Sequence, residues 1–390
     1  MKTSKWLWCV ALIACAPAFA QEAVKVGVLM GMTGPFALFG EQARRGMEHY
    51  LDEVGGKCGN AGIELIWRDE AGGPDKAKAL TQELIVRDRV QFLTGFNLTP
   101  TAIAIAPLVT EAKVPTLITV AGASAITRMS PYIARISFTL WQHGYPLGEW
   151  AAKNGMKELV IAYSDYGAGT DSRDAFKAAF EKNGGKVIAE MAMPLQTPDP
   201  GVYIQKLRDM NARAVFFFAP TGPSGIAFVK SFAAMGLAKS GVKLITTAVV
   251  DEMVLAQMGE AAVGIVSVWH YSPHLNTPDN KRFVAQWQKK YGEKSLPTFM
   301  HVTAYDGMHA ICDVVRKLGP KFNGDQAMSV LKGWRSTNAA RGPIEIDAKD
   351  RDIVQNLYVR RVEKLPGGGF GNIEFETLPA VRDPWKVLNP

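Results

Sequence analysis

The strongest constraint in this sequence is a rhythm. Short β-branched apolar runs alternate with helical stretches, and the series occurs twice. The first series has strands at residues 24–29, 63–67, 90–94 and 114–120, with helices at 43–54, 74–89 and 101–112 between them. Gly55-Gly56 closes the first helix, because glycine takes the positive φ of a helix C-terminus without steric cost. The second series begins after Trp141, with strands at 159–163, 186–191, 214–219, 243–248 and 263–269 and helices at 171–183, 202–210, 224–235 and 252–258. Such alternation requires right-handed βαβ crossovers and parallel sheets buried on both faces. The fold class is therefore α/β, with two Rossmann-like units. The last third offers helices at 279–291, 298–318 and 325–332 but strands only near Ile344 and at 356–362. That is too little for a third sheet, so it adds to the first two units.

Residues 1–20 stand apart. Lys2 and Lys5, an apolar run from Trp6 to Ala14 and the small-residue end Ala18-Phe19-Ala20 read as a signal peptide, too short for a membrane anchor. A lipoprotein leader anchored at Cys15 is the alternative, from Leu12-Ile13-Ala14-Cys15. The mature chain is expected in the periplasm. The formal charge of +7 falls by only two when Lys2 and Lys5 leave, and no basic stripe carries interleaved aromatics, so nucleic acid is not expected as a partner. Of four cysteines, Cys58 and Cys312 remain after Cys9 and Cys15 are removed; spacing alone leaves their pairing open.

Enzymatic motifs are missing. No G-x-G-x-x-G follows the first strand and no Walker loop occurs. Ser224, in Gly222-Pro223-Ser224-Gly225-Ile226, departs from the nucleophile-elbow pattern at its last position. His270 and His274 have i,i+4 spacing, but Pro273 disrupts a helix between them. The expectation is a protein that is not an enzyme and needs no cofactor or metal.

In open parallel sheets, ligands bind outside the carboxyl ends of the strands. The loops there are Gly95-Phe96-Asn97-Leu98-Thr99-Pro100 and Ala121-Gly122-Ala123-Ser124, preceded by a first loop with Thr33, Phe36 and Phe39. Small and hydroxyl residues leading into helices leave backbone N–H groups free for a carboxylate, although turns and caps use the same residues. Phe39, Trp141, Tyr166, Phe218, Trp269 and Tyr271 fall at strand ends or helix starts. Singly each reads as core; together they suggest walls for an apolar or aromatic ligand.

From Val24 to about Val362 the chain resembles the periplasmic ligand-binding proteins of branched-chain amino acid type ABC transporters, the Leu/Ile/Val-binding protein-like family. The matching stretches include Val26-Gly27-Val28 with Met32-Thr33-Gly34-Pro35, Gly95-Phe96-Asn97-Leu98-Thr99, Ala121-Gly122-Ala123-Ser124, Asp165-Tyr166-Gly167 and Ala304-Tyr305-Asp306-Gly307. The resemblance implies a type I periplasmic binding protein fold, two lobes joined by a three-strand hinge that crosses near Thr139, His270 and Gln355. Residues 24–139 with 270–354 would form the N-terminal lobe, and 140–269 with 355–390 the C-terminal lobe. The lobes would close on a small-molecule carboxylate, and a membrane permease would read the closed monomer. Leu98, Thr99, Ala123 and Ser124 stand where the family grips a ligand carboxylate. Phe39 and Trp141 would be walls, and Tyr166 and Thr221 further contacts. Leu140 and Thr247 occupy positions where the family places acids for the ligand's amine. The expected ligand therefore lacks a free amine, an aromatic acid such as a benzoate or phenylpropenoate. A slip of one or two residues would make Asp251 or Glu252 the missing acid and restore an amino acid ligand.

Overall fold

The structure, a computed structural model, describes residues 23–390 apart from Gly72; the leader at 1–20 lies outside the described residues. Strands β1 (Ala23–Met30), β2 (Lys57–Cys58), β3 (Ala61–Asp69), β4 (Phe92–Gly95), β5 (Thr116–Ile118) and β6 (Ile133–Arg135) form one sheet in the order β2-β3-β1-β4-β5-β6. Helices α1 (Ala37–Glu53), α2 (Pro74–Val86) and α3 (Thr99–Ala112) connect them. Within β1, Val24, Val26, Val28 and Leu29 are all fully buried, as expected for a strand covered on both faces.

The second sheet begins with β7 (Glu158–Ser164), β8 (Lys186–Met193), β9 (Ala214–Phe218), β10 (Lys243–Thr246) and β11 (Val266–Trp269). Its helices are α4 (Leu140–Lys153), α5 (Gly167–Lys182), α6 (Gly201–Asp209), α7 (Pro223–Ala234) and α8 (Glu252–Met258). The remaining strands β12 (Arg335–Ser336), β13 (Ile344–Ile346), β14 (Ile353–Lys364) and β15 (Phe370–Val381) all join it, giving the order β12-β13-β14-β11-β10-β9-β7-β8 with β15 on β14.

The central strands of both sheets are parallel, as the alternation implies, and antiparallel strands added at one side make each sheet mixed. β2 runs antiparallel to β3, and β14 runs antiparallel to β11, β13 and β15. β14 reaches β11 across the long segment between Trp269 and Ile353. For β2–β3, β13–β14 and β14–β15 the reason is short connection: a few residues can return a chain only as an antiparallel hairpin. The Gly367-Gly368-Gly369 turn does this between β14 and β15, with positive φ at Gly368 and Gly369. β15 carries Pro379 and α4 carries Pro146, a residue that removes a backbone donor from ladder or helix alike.

Three helices of the last third, α9 (Pro278–Tyr291), α10 (Phe299–Leu318) and α11 (Gly324–Leu331), turn back to the first sheet. Tyr291 donates its hydroxyl to the Arg45 carbonyl, and Phe299 meets Phe39 edge to face. Cys58 on β2 and Cys312 on α10 form a disulfide, Cα atoms 4.9 Å apart. A final short helix, α12 (Pro384–Leu388), reaches the turn after β5: Lys386 bonds Thr127 and Asp352, and Arg128 bonds the Asn389 carbonyl.

The segments near Thr139, His270 and Gln355 meet. Thr139 caps α4 in a reciprocal box with Gln142, whose amide donates to Ile353 and Val381 carbonyls. Gln355 donates to Ser137, and His270 Nδ1 lies 3.3 Å from His143 Nε2. Arg341, fully buried, binds Asp306 and the carbonyls of Ile136 and Ser137.

Candidate functional site

The strands of both sheets point their carboxyl ends at one space. At or just past the ends of β4, β5, β7, β9, β10 and β11 the chain supplies Thr99, Gly122, Tyr166, Phe218, Ala248 and Trp269 to a common cavity. It holds about 440 Å³ of atom-free space, part of it continuous with solvent.

Six aromatic rings line it: Phe39, Phe138, Tyr166, Phe218, Trp269 and Phe299. They brace one another. Phe299 lies edge-on to Trp269 at 5.3 Å between centroids, Phe138 tilts against Trp269 at 5.0 Å, and Tyr166 stacks near Phe218 at 6.3 Å. Behind Phe138, His270 stacks at 5.1 Å and His143 lies tilted at 5.2 Å. Burial holds both imidazoles well below their usual range, so they are neutral.

No Asp, Glu, Lys, Arg or His is among the lining residues. The polar groups are neutral ones. The Thr99 hydroxyl, both polar atoms of the Asn97 side chain and the Trp269 indole N–H are buried without hydrogen-bond partners. Thr99 opens α3, whose N-cap Leu98 gives no side-chain cap; Tyr166 likewise precedes α5 without capping it. The uncapped N–H groups of two helices therefore end at this cavity, which favours negative charge there. Burial raises the Tyr166 phenol above its ordinary range, which leaves it a neutral donor.

Glu70 stands beneath. Its carboxylate accepts the Asn97 backbone N–H at 2.5 Å, and burial pushes it up to about 7. Sequence pattern gives no hint of this contact, since Glu70 merely follows β3.

Of the residues expected at a site, Phe39, Leu98, Thr99, Leu140, Tyr166 and Thr221 line the cavity. The Thr221 hydroxyl is engaged by the Ala248 carbonyl at 2.7 Å. Ala123, Ser124, Trp141 and Thr247 are not among the lining residues. The Ala123 carbonyl is taken by Arg135, and the Ser124 N–H donates to Asp171 at 2.9 Å. Trp141 stacks on Tyr145, and Thr247 is buried one residue before Ala248. Of the aromatic set, Tyr271 instead donates to Asn280. The acids considered as amine partners lie outside the lining. Asp251 caps α8, and Glu252 binds Asn372 and pairs with Arg360. Asn97, Gly122, Phe138 and Phe299 line the cavity as well. Asn97 and Gly122 sit in the loops after β4 and β5, whereas Phe138 and Phe299 carry no local signal.

A model of the periplasmic binding protein family matches residues 23–369. Leu/Ile/Val-binding protein homolog 6 of Brucella melitensis biotype 1 is 38% identical over 374 residues, 95% of each chain. Among solved structures, a solute-binding protein of an ABC transporter from Rhodopseudomonas palustris BisB5, in complex with 3,4-dihydroxybenzoic acid, is 43% identical. Its TM-score is 0.89, with 93% of this chain and 99% of that one covered. Another, from Rhodopseudomonas palustris HaA2 in complex with p-hydroxybenzoic acid, is 41% identical with a TM-score of 0.90, covering 95% and 100%.

Proposed function

This chain belongs to the periplasmic binding protein family, with the type I fold of an ABC-transporter solute-binding protein, and we propose that its ligand is an aromatic carboxylate without a free amine, of the hydroxybenzoate kind. The observation that carries this is the cavity's composition. Six rings enclose a space with no acid to offset desolvation of an ammonium group, while uncapped helix starts and the Thr99 hydroxyl favour an anion. An amino acid zwitterion would leave its ammonium unpaired among aromatics, a large cost. A flat ring fits between such walls, and the neutral donors at Asn97 and Trp269 suit a ring hydroxyl. Solved neighbours above 40% identity were crystallised with hydroxylated benzoic acids, which supports the reading.

In this reading the lobes, 24–139 with 270–354 and 140–269 with 355–390, turn about the crossings at Thr139, His270 and Gln355 and close on the ligand. Thr99 with Leu98 grips the carboxylate, Ala123 and Ser124 shape the adjoining turn, and Leu140, Trp141 and Thr247 stand behind the ring. The leader delivers the protein to the periplasm, where the closed monomer hands its ligand, chemically unchanged, to a membrane permease.

Isothermal titration with 4-hydroxybenzoate, benzoate, leucine and valine tests it. Heat from the aromatic acids alone is the expected result. Binding of leucine or valine alone would instead favour the amino acid reading that the Brucella relative's name suggests.

A further inference from the structure

Ser124 lies in the turn after β5 of the first sheet, and Asp171 lies on α5 of the second. The Ser124 backbone N–H donates to Asp171 Oδ2 at 2.9 Å. Nearby, α5 presses on the other lobe at its first residue: a Cβ on Gly167 would lie 3.1 Å from Thr99 Cγ2. Both partners adjoin the cavity without lining it, since Gly122, Tyr166 and Ala168 lie within five residues of them and do line it. The bonds of Gln142, Arg341 and Gln355 belong to the crossing segments and can persist through a hinge rotation. The bond from Ser124 to Asp171 runs directly from the turn after β5 to α5, outside the crossing segments themselves, and depends on the lobes being together.

We propose that Asp171 is a positioning residue for ligand capture, a latch that joins the lobes beside the cavity. This rests on the aromatic-acid reading above. A ligand that binds the closed form shifts the population toward it, so whatever steadies closure adds to affinity. The groups facing Asp171 are Arg135 on β6, which favours its charge, and Asp174 on its own helix, which opposes it. Asp383, from the C-terminal segment, faces the same turn beside Ser124 and Arg135. Burial outweighs these influences and raises the Asp171 carboxyl from 3.8 to about 6. With the lobes apart and Asp171 in water, its ordinary value returns. The closed form therefore holds the proton more tightly, and lowering the pH from 7.5 to 5.5 strengthens binding about fourfold through this group.

The experiment is titration of 4-hydroxybenzoate into wild type, Asp171→Asn and Asp171→Ala at pH 5.5 and 7.5. Asparagine keeps an acceptor oxygen and is neutral at both pH values, so it stands for the protonated acid. The expected results are that Asp171→Asn binds more tightly than wild type at both pH values, by a factor about fourfold larger at pH 7.5 than at pH 5.5, and that Asp171→Ala, which lacks the acceptor, is weaker than Asp171→Asn at both. Other titrating groups, such as Glu70, act equally in wild type and the Asn variant and cancel in their ratio. A wild-type to Asn ratio that does not change with pH overturns the proposal, as does equal affinity in Asp171→Ala and Asp171→Asn. If 4-hydroxybenzoate fails to bind wild type, the ligand reading falls and the latch is judged separately. Small-angle scattering of the ligand-free protein at pH 5.5 should then show a more compact average form in Asp171→Asn than in Asp171→Ala; equal profiles overturn it.

Discussion

Glu70 holds the loop that opens α3 from below, its carboxylate accepting the Asn97 N–H at 2.5 Å. The contact fixes a strained approach, because Phe96 just before it has φ +67°, the left-handed region that a bulky side chain seldom adopts. Glu70 is only 4% exposed and its second carboxylate oxygen has no partner. The loop that presents Thr99 to the cavity thus depends on a buried acid outside it.

That acid should make stability depend on pH. Its carboxyl is raised from 4.5 to about 7 by burial, against the opposing Asn97 hydrogen bond. The folded chain then binds the proton more tightly than the unfolded one. The associated stability is fully present below about pH 4.5 and is lost as pH rises through 7, up to about 3 kcal/mol in all. Urea denaturation at pH 5 and 8 should show a smaller loss in Glu70→Gln than in wild type; equal losses would exclude Glu70 as the source.

Thr99→Val keeps the shape of the side chain and removes its unpartnered hydroxyl. Affinity for 4-hydroxybenzoate should fall by about 1–3 kcal/mol, the range of a hydrogen bond to a charged group, while thermal stability stays near wild type. Calorimetric titration decides it, and an unchanged dissociation constant removes Thr99 from the carboxylate contact.

Gly167→Ala places a methyl 3.1 Å from Thr99 Cγ2, tighter than ordinary van der Waals contact. The crowding arises only where α5 meets the other lobe, so each lobe should fold normally while closure is penalised. We expect several-fold weaker ligand binding with no fall in the ligand-free melting temperature. A drop in melting temperature with affinity intact would point to crowding within a lobe instead.

Reducing the Cys58–Cys312 disulfide frees a closed loop spanning 254 positions. The unfolded chain gains entropy, and stability should fall by about 2–4 kcal/mol. Ligand affinity should hold, because neither cysteine lines the cavity. Chemical denaturation with and without dithiothreitol, beside a titration of the reduced protein, tests both statements.

The sequence by itself determined the two α/β units, the loops that end at the cavity and the lack of acids at Leu140 and Thr247. Each of these is local: a strand followed by a helix is written in the period of apolar residues, and a loop's polarity in its own side chains. Thr99, Tyr166 and Phe39 were legible because strand ends must face a ligand if any surface of such a sheet does. Tertiary structure alone decided what lay between elements distant in the chain. It brought Phe138 and Phe299 into one wall, turned Ser124 toward Asp171 and joined Cys58 to Cys312. It also folded β12–β15 back as antiparallel strands. Residue periodicity records which face of an element is buried; it does not record what is packed against that face. Partners many residues away are chosen by how two surfaces fit once the chain has closed, and only coordinates carry that.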